Sequence, residues 1–254
     1  MPITKAYRTI RNQSLQVIAK KLPIDFAITQ KERYLQLKWG KTIQCGLRTI
    51  ASDGVEWSFS YSNTLLPGCS LNCNFDDVQS AELDIYTDRS KINDAVGCGF
   101  VVFTDNMEIF SQSICLNSFC AVFQAELFSI LQAIKWENNY YPKTTIQLFT
   151  DSLSAFTLLK SSKLHPFAEE IRNLPRTTSC NFAITWVRAH QGVQGNERAN
   201  YLAKQAAENT ALPVEYNKIN LRTLRRILWE DALHNWQIKW DNNREHITQI
   251  CLQY

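Results

Sequence analysis

Between residues 82 and 134 the spacing of apolar side chains switches from every second residue to every third or fourth, and few folds accommodate that switch. Leu83, Ile85 and Thr87 alternate with Asp84, Tyr86 and Asp88, the pattern of a half-buried strand that ends at "TDRSK". "VGCGFVVF" (96–103) and "EIFSQSICL" (108–116) continue as strands of a meander, with Asp105-Asn106 as the turn between them. Phe123, Leu127, Ile130, Leu131 and Ile134 then mark the apolar stripe of an amphipathic helix. "TTIQLFTDS" (144–152) predicts a fourth strand, followed by a helix through "LSAFTLLKSS" and another from about Pro166. "CNFAITWVRAH" (180–190) predicts a fifth strand, and "NERANYLAKQAAEN" a closing helix with Ala199, Leu202, Ala203 and Ala206 facing inward. Three strands, helix, strand, helices, strand, helix describe an α/β domain with a mixed five-stranded sheet flanked by helices.

The flanks read differently. Residues 1–45 predict helix interrupted at Pro23, residues 46–81 a linker rich in turn formers, and residues 211–254 a helical tail carrying Trp229, Trp236 and Trp240. Residues 1–50 hold ten Lys/Arg against two Asp/Glu, residues 51–100 two against eight, so the leading segment suits a polyanionic partner. The eight cysteines form no Cys-x-x-Cys pair, and several sit in apolar runs where a free thiol behaves as a small hydrophobe. Reduced thiols, no signal peptide and no apolar run of about 18 residues predict an intracellular, cytoplasmic or nuclear protein without a membrane span.

Three carboxylates occupy telling places. Asp88 ends the first strand, Asp151 ends the fourth, and Glu126 lies at the edge of the first long helix's apolar stripe. Ligands in open α/β sheets gather beyond the carboxyl ends of strands. Three carboxylates brought together there repel one another unless divalent cations neutralise them, and all-oxygen donors suit Mg²⁺ or Mn²⁺ rather than zinc. Two such ions about 3.5–4 Å apart can activate water and stabilise the leaving oxygen of a phosphodiester. Each residue also has a plainer reading: Asp88 as a turn cap, Asp151-Ser152 as a helix N-cap, Glu126 as a surface side chain. Asp84, four strand residues or about 13 Å from Asp88, is too far to share a metal with it.

"YTDRSK", "FQAEL", "FTDS" and "WVRAHQGVQGNERAN", in that order, resemble the type 1 ribonuclease H domain over residues 82–210. The resemblance implies hydrolysis of the RNA strand of RNA–DNA hybrids with two Mg²⁺ ions, for which Mn²⁺ can substitute. It implies that Asp88 touches both ions, and that Glu126 and Asp151 bind on the leaving-group side. His190 matches the loop histidine associated with proton transfer or product release, and Glu197 the helix-start Glu that supports the fold. The variant is similar to the domain carried by non-LTR retrotransposons. "TKAYRTIRNQSLQVIAKKLPIDF" looks like the segment just after the reverse transcriptase in such elements, so the chain resembles a C-terminal fragment of their polyprotein.

Three departures bear on activity. Arg89 stands where the family usually has Gly, which removes backbone freedom from a turn. Arg188-Ala189 replace Pro-Gly before the histidine. Asn200 stands where the family has its fourth carboxylate, a ligand of the water-activating ion. An amide oxygen can coordinate a hard cation, but it lacks the charge that holds it. At about 1.36 kcal/mol per tenfold in rate, a weakened site forfeits roughly a hundredfold or more. The alternative reading is therefore a catalytically weakened module that binds hybrids without efficient turnover. Arg89, Lys91 and Arg188 are candidates for phosphate contacts. A protein-interaction scaffold built on the basic N-terminal segment and the Trp-rich tail is a third reading.

Overall fold

The computed structural model describes residues 19–57, 81–161, 163–177, 181–189 and 191–251. His190, residues 1–18, most of the expected linker, and Cys69, Cys73 and Cys180 lie outside them. The chain forms two compact units, residues 56–220 and residues 1–55 with 221–254.

Residues 56–220 contain every strand expected from the alternation. β1 (Leu83–Ile92), β2 (Ala95–Thr104) and β3 (Met107–Leu116) form the antiparallel meander. The β2–β3 turn carries positive φ at both Asp105 (48°) and Asn106 (62°), as a two-residue hairpin of the primed type demands. Then follow α1 (Val122–Tyr140), β4 (Thr145–Thr150), α2 (Leu153–Lys160), α3 (Pro166–Thr177), β5 (Asn181–Trp186) and α4 (Gln194–Glu208). β4 pairs parallel to both β1 and β5. A sixth short strand, β6 (Val214–Tyr216), pairs parallel to β3, giving the order β5-β4-β1-β2-β3-β6. The sequence placed this stretch in the tail, because three residues with exposed Val214 and Glu215 are too short to show a period.

Helices cover both faces of the sheet, and β2 shows how the two faces differ. Val96, Cys98, Phe100 and Val102 join the large core beneath α1, with Leu127, Ile130, Leu131 and Ile134. Val101 and Phe103 point the other way and pack with Ala199 and Leu202 of α4. On that second face α4 lies nearly on the backbone of β2. A Cβ at Gly97 would stand 2.5 Å from the Ala203 carbonyl, and one at Gly99 2.7 Å from Leu202 Cβ. Hydroxyls fasten each helix: Ser129 Oγ of α1 donates to the Gly99 carbonyl (2.8 Å), and Ser113 Oγ donates to the Leu202 carbonyl (3.0 Å).

Glu56 is buried and belongs to this unit. It accepts from Tyr216 Oη (2.8 Å) and from Gln124 Nε2 (2.9 Å). Gln124 Oε1 in turn accepts the N–H of Ala121 (2.8 Å), capping α1. Buried Arg172 of α3 donates to the carbonyls of Leu158 and Leu159 at the end of α2, and to those of Ser161 and Lys163 beyond it.

In the other unit a helix over Ile24–Lys38 starts immediately after Pro23, where a missing N–H costs nothing. Ile43–Cys45 and Arg48–Ile50 form a small hairpin where helix and then linker were expected; Gly46, at φ +57°, supplies its turn. A long helix runs over Leu221–Cys251, and its buried stripe is Leu224, Ile227, Leu228 and Ala232, with Trp229 exposed. Lys31 and Arg225 both lie over the ring of Tyr34, at 5.4 and 6.0 Å. Cys45, Cys98, Cys115 and Cys120 are free thiols, with all but Cys115 buried, as the apolar context of several predicted. Among the described residues no helix is long and apolar enough to cross a membrane.

Candidate active site

The site is built where the parallel half of the sheet stops. β1 pairs with β4 only as far as Thr87 opposite Thr150, whereas its pairing with β2 continues to Ile92. Asp88 is therefore not the end of its strand, as the sequence suggested. It is the first residue of β1 beyond the parallel ladder, and Asp151 is the first residue beyond β4. Glu126, on α1, is 1% exposed, which removes the reading of a surface side chain. Asp88 is buried too, and Asp151 half-buried.

One carboxylate oxygen from each of Asp88, Glu126 and Asp151 lies within 4.8 Å of the others. Asp84 is not part of the group. Nearby groups aim the carboxylates. Thr150 Oγ1 donates to Glu126 Oε1 (3.1 Å), and the Ser152 N–H donates to Thr150 Oγ1 (3.2 Å). The indole of Trp186 donates to the Asp151 backbone carbonyl (3.1 Å). Capping of α2 falls to Ser152, whose Oγ accepts the Ala155 N–H (3.2 Å), so Asp151 is not the cap.

Two buried oxygens of the cluster, Glu126 Oε2 and Asp151 Oδ1, accept no hydrogen bond. Buried polar atoms are normally satisfied; Glu126 Oε2 has the Arg89 guanidinium beside it but no hydrogen bond, Asp151 Oδ1 accepts none, and three carboxylates gathered this closely suit a hard cation. The residues present therefore fit divalent metal ions. Burial pushes the Glu126 carboxyl up to about 8; Arg89 opposes this, while Asp88 and Asp151 add to it. A buried carboxyl that resists ionisation, with two further carboxylates beside it, marks a place that positive charge would stabilise.

Arg89 partly supplies that charge. Its Nε stands 3.2 Å from Glu126 Oε2 and its Nη1 3.6 Å from Asp88 Oδ1, while its own N–H donates to Asp88 Oδ1 (2.7 Å). The expected loss of backbone freedom at this position does not arise: Arg89 sits inside β1 opposite Cys98, and its φ is not positive. What matters is the side chain, which faces carboxylates rather than solvent-borne phosphate. Lys91 and Arg188 are exposed.

Asn200 lies half-buried on α4, one turn beyond buried Asn196, whose Oδ1 also lacks a partner. Glu197 is exposed in the first turn of α4, where an acidic side chain complements the helix dipole. Sequence reasoning missed Thr150 and Trp186 as supports of the site. Thr150 left a usable signal, a polar residue closing an apolar strand directly before Asp151.

The solved structures that match include three that cover 50% of this chain. Ribonuclease H1 from Halobacterium salinarum is 19% identical over 97% of its own length, with a TM-score of 0.42. LC11 ribonuclease H1, solved with an RNA/DNA hybrid, is 15% identical over 96%, with a TM-score of 0.43. The foamy viral protease–reverse transcriptase, solved with dsDNA, is 20% identical over 94%, with a TM-score of 0.41. No curated protein matches the chain. The RNase H family matches residues 80–208, half of the 254 residues and the whole of the sheet up to α4, and the chain belongs to that family.

Proposed function

We propose that this protein is an endonuclease that hydrolyses the RNA strand of RNA–DNA hybrids, with Mg²⁺ or Mn²⁺ held by Asp88, Glu126 and Asp151 and, through its amide oxygen, Asn200. The observation that carries this reading is the convergence of three carboxylate oxygens within 4.8 Å at the end of the parallel ladder, inside the family match. When bound there, two divalent ions would supply an activated water and charge stabilisation for the leaving oxygen of the phosphodiester.

The chain's own residues set the conditions. Thr150 holds Glu126 Oε1 in place, and burial of Asp88 and Glu126 excludes water that would otherwise screen the cluster. Asn200 in place of a carboxylate leaves the site one negative charge short, which weakens cation binding and lowers turnover. His190, which precedes α4 in the sequence, would move a proton or speed product release. The resemblance of residues 4–26 to a segment following a reverse transcriptase supports placing the chain at the C-terminal end of a non-LTR retrotransposon polyprotein. On that reading residues 82–210 form the nuclease, and residues 1–45, 46–81 and 211–254 are a helical remnant, a connection and a tail.

A second reading, a hybrid-binding module with little turnover, is favoured by Asn200 and by the Arg89 guanidinium against the carboxylates. Cleavage of a labelled RNA–DNA hybrid in Mg²⁺ and in Mn²⁺ separates the two. Measurable cleavage by the native chain, abolished in Asp88→Asn and raised at least tenfold in Asn200→Asp, is expected of the enzyme. Silence from the native chain with activity in Asn200→Asp would identify the binding module. Silence from all three chains would end the nuclease reading.

A further inference from the structure

The Arg89 side chain occupies the ground between two carboxylates that the proposed function assigns to metal. Nε is 3.2 Å from Glu126 Oε2, the oxygen without a hydrogen-bond donor, and Nη1 is 3.6 Å from Asp88 Oδ1. The guanidinium therefore spans an oxygen of each residue. A divalent ion would approach the same oxygens to about 2.1 Å, and two positive charges cannot share them at that range without strong repulsion. The side chain is 39% exposed, so it has solvent to swing into, and its backbone is ordinary strand paired to Cys98.

We infer that Arg89 is a built-in counter-cation: it neutralises the carboxylate cluster while no metal is bound, and a metal ion binds only by displacing it. This rests on the proposed metal site and adds a property of that site. Two consequences follow from the geometry. Without metal, Arg89 offsets the repulsion among Asp88, Glu126 and Asp151 that would otherwise oppose folding. With metal, the cost of displacing Arg89 comes off the binding free energy, so affinity is lower than the three carboxylates would give alone. The cation at position 89 thus sets the ion concentration at which the site fills.

The test is Mn²⁺ binding to the whole chain by titration calorimetry, together with melting temperatures in chelator and in saturating Mn²⁺. Native chain, Arg89→Ala, Arg89→Gln and Asp88→Asn are compared. Arg89→Ala and Arg89→Gln are expected to bind Mn²⁺ about tenfold more tightly than the native chain. They are also expected to melt lower in chelator and to gain more from Mn²⁺. Arg89→Gln keeps most of the side-chain length, so it serves should Arg89→Ala fail to fold without metal. Affinities within twofold of native in both variants, or weaker, would overturn the counter-cation role. Asp88→Asn separates this from the metal site itself. If it abolishes Mn²⁺ binding while the Arg89 variants match the native chain, the site stands and the inference falls. If it binds like the native chain, the metal site falls, and the inference with it.

Discussion

Gly195, in the first turn of α4, offers a direct test of how the fold fixes the site. A Cβ placed on it would lie 2.2 Å from Cδ2 of Tyr86 and 2.3 Å from Cε2. The ring cannot retreat easily: it stacks on Phe149 at 4.6 Å and meets Phe103 edge-on at 5.9 Å. Restoring an ordinary separation of about 3.6 Å requires roughly 1.4 Å of relative movement, and with the ring wedged α4 must supply most of it. Overpacking of this kind costs about 1–3 kcal/mol. For a unit of this size that lowers the melting temperature by about 2–4 °C per kcal/mol. Tyr86 lies two residues before Asp88, and Asn200 rides on the displaced helix, so cleavage suffers as well. A misplacement near 1 Å can cost about a hundredfold. Gly195→Ala is therefore expected to lose about 2 kcal/mol in urea unfolding and at least tenfold in hybrid cleavage. Tyr86→Ala alone loses packing, yet in the Gly195→Ala background it relieves the clash, so the double variant is more stable than the sum of the singles implies. Strict additivity, or a Gly195→Ala chain within about 0.5 kcal/mol of native, would refute this account of α4 seating.

Three further outcomes are expected. In chelator, the contribution of Glu126 to stability falls as pH rises from about 4.5 to 8, because burial raises its carboxyl to about 8 and the unfolded chain gives up its proton first. The difference between native and Glu126→Gln unfolding curves isolates it from His165, which burial lowers to about 4 and which acts in the opposite sense below pH 6.5. Arg172→Ala leaves the carbonyls of Leu158, Leu159, Ser161 and Lys163 without their shared donor and costs about 3 kcal/mol or more by urea unfolding, with Arg172→Lys recovering only part. Glu56→Ala strands Tyr216 Oη and leaves Gln124 Nε2 with the Lys218 carbonyl alone, and costs about 1–3 kcal/mol; a chain trimmed to begin at residue 80 melts lower than one beginning at residue 56 for the same reason.

The alternation, the helix stripe and the apolar runs bounded by turn formers made the five main strands and four helices of residues 56–220 legible; β2, buried on both faces, shows as such a run and not as an alternation. The strand after α4 was not legible: it has three residues at the sheet edge, and of these only Tyr216 packs on the core. Asp88, Glu126 and Asp151 could be named because each precedes or follows a recognisable apolar pattern. Their convergence follows from a register, Thr87 opposite Thr150, that no local pattern encodes. Arg89 illustrates the limit most clearly. Its departure from the family pattern was visible in the sequence, but the effect expected was on the backbone, whereas the structure places the consequence in the guanidinium. Glu56 lay in a stretch that reads as linker, and only its burial against Gln124 and Tyr216 shows that it belongs to the nuclease unit.

The uneven bracing of β1 has a consequence for amide exchange. From Asp84 to Thr87 the strand is paired on both sides, and from Asp88 to Ile92 on one side only. Backbone opening that starts at the Asn93-Asp94 turn can travel along the singly bonded stretch, but it meets a second ladder at Thr87. Deuterium uptake should therefore step sharply between Thr87 and Asp88. The step falls on the first metal-binding candidate itself, so opening that starts at the Asn93-Asp94 turn reaches Asp88 before it meets any residue paired on both sides.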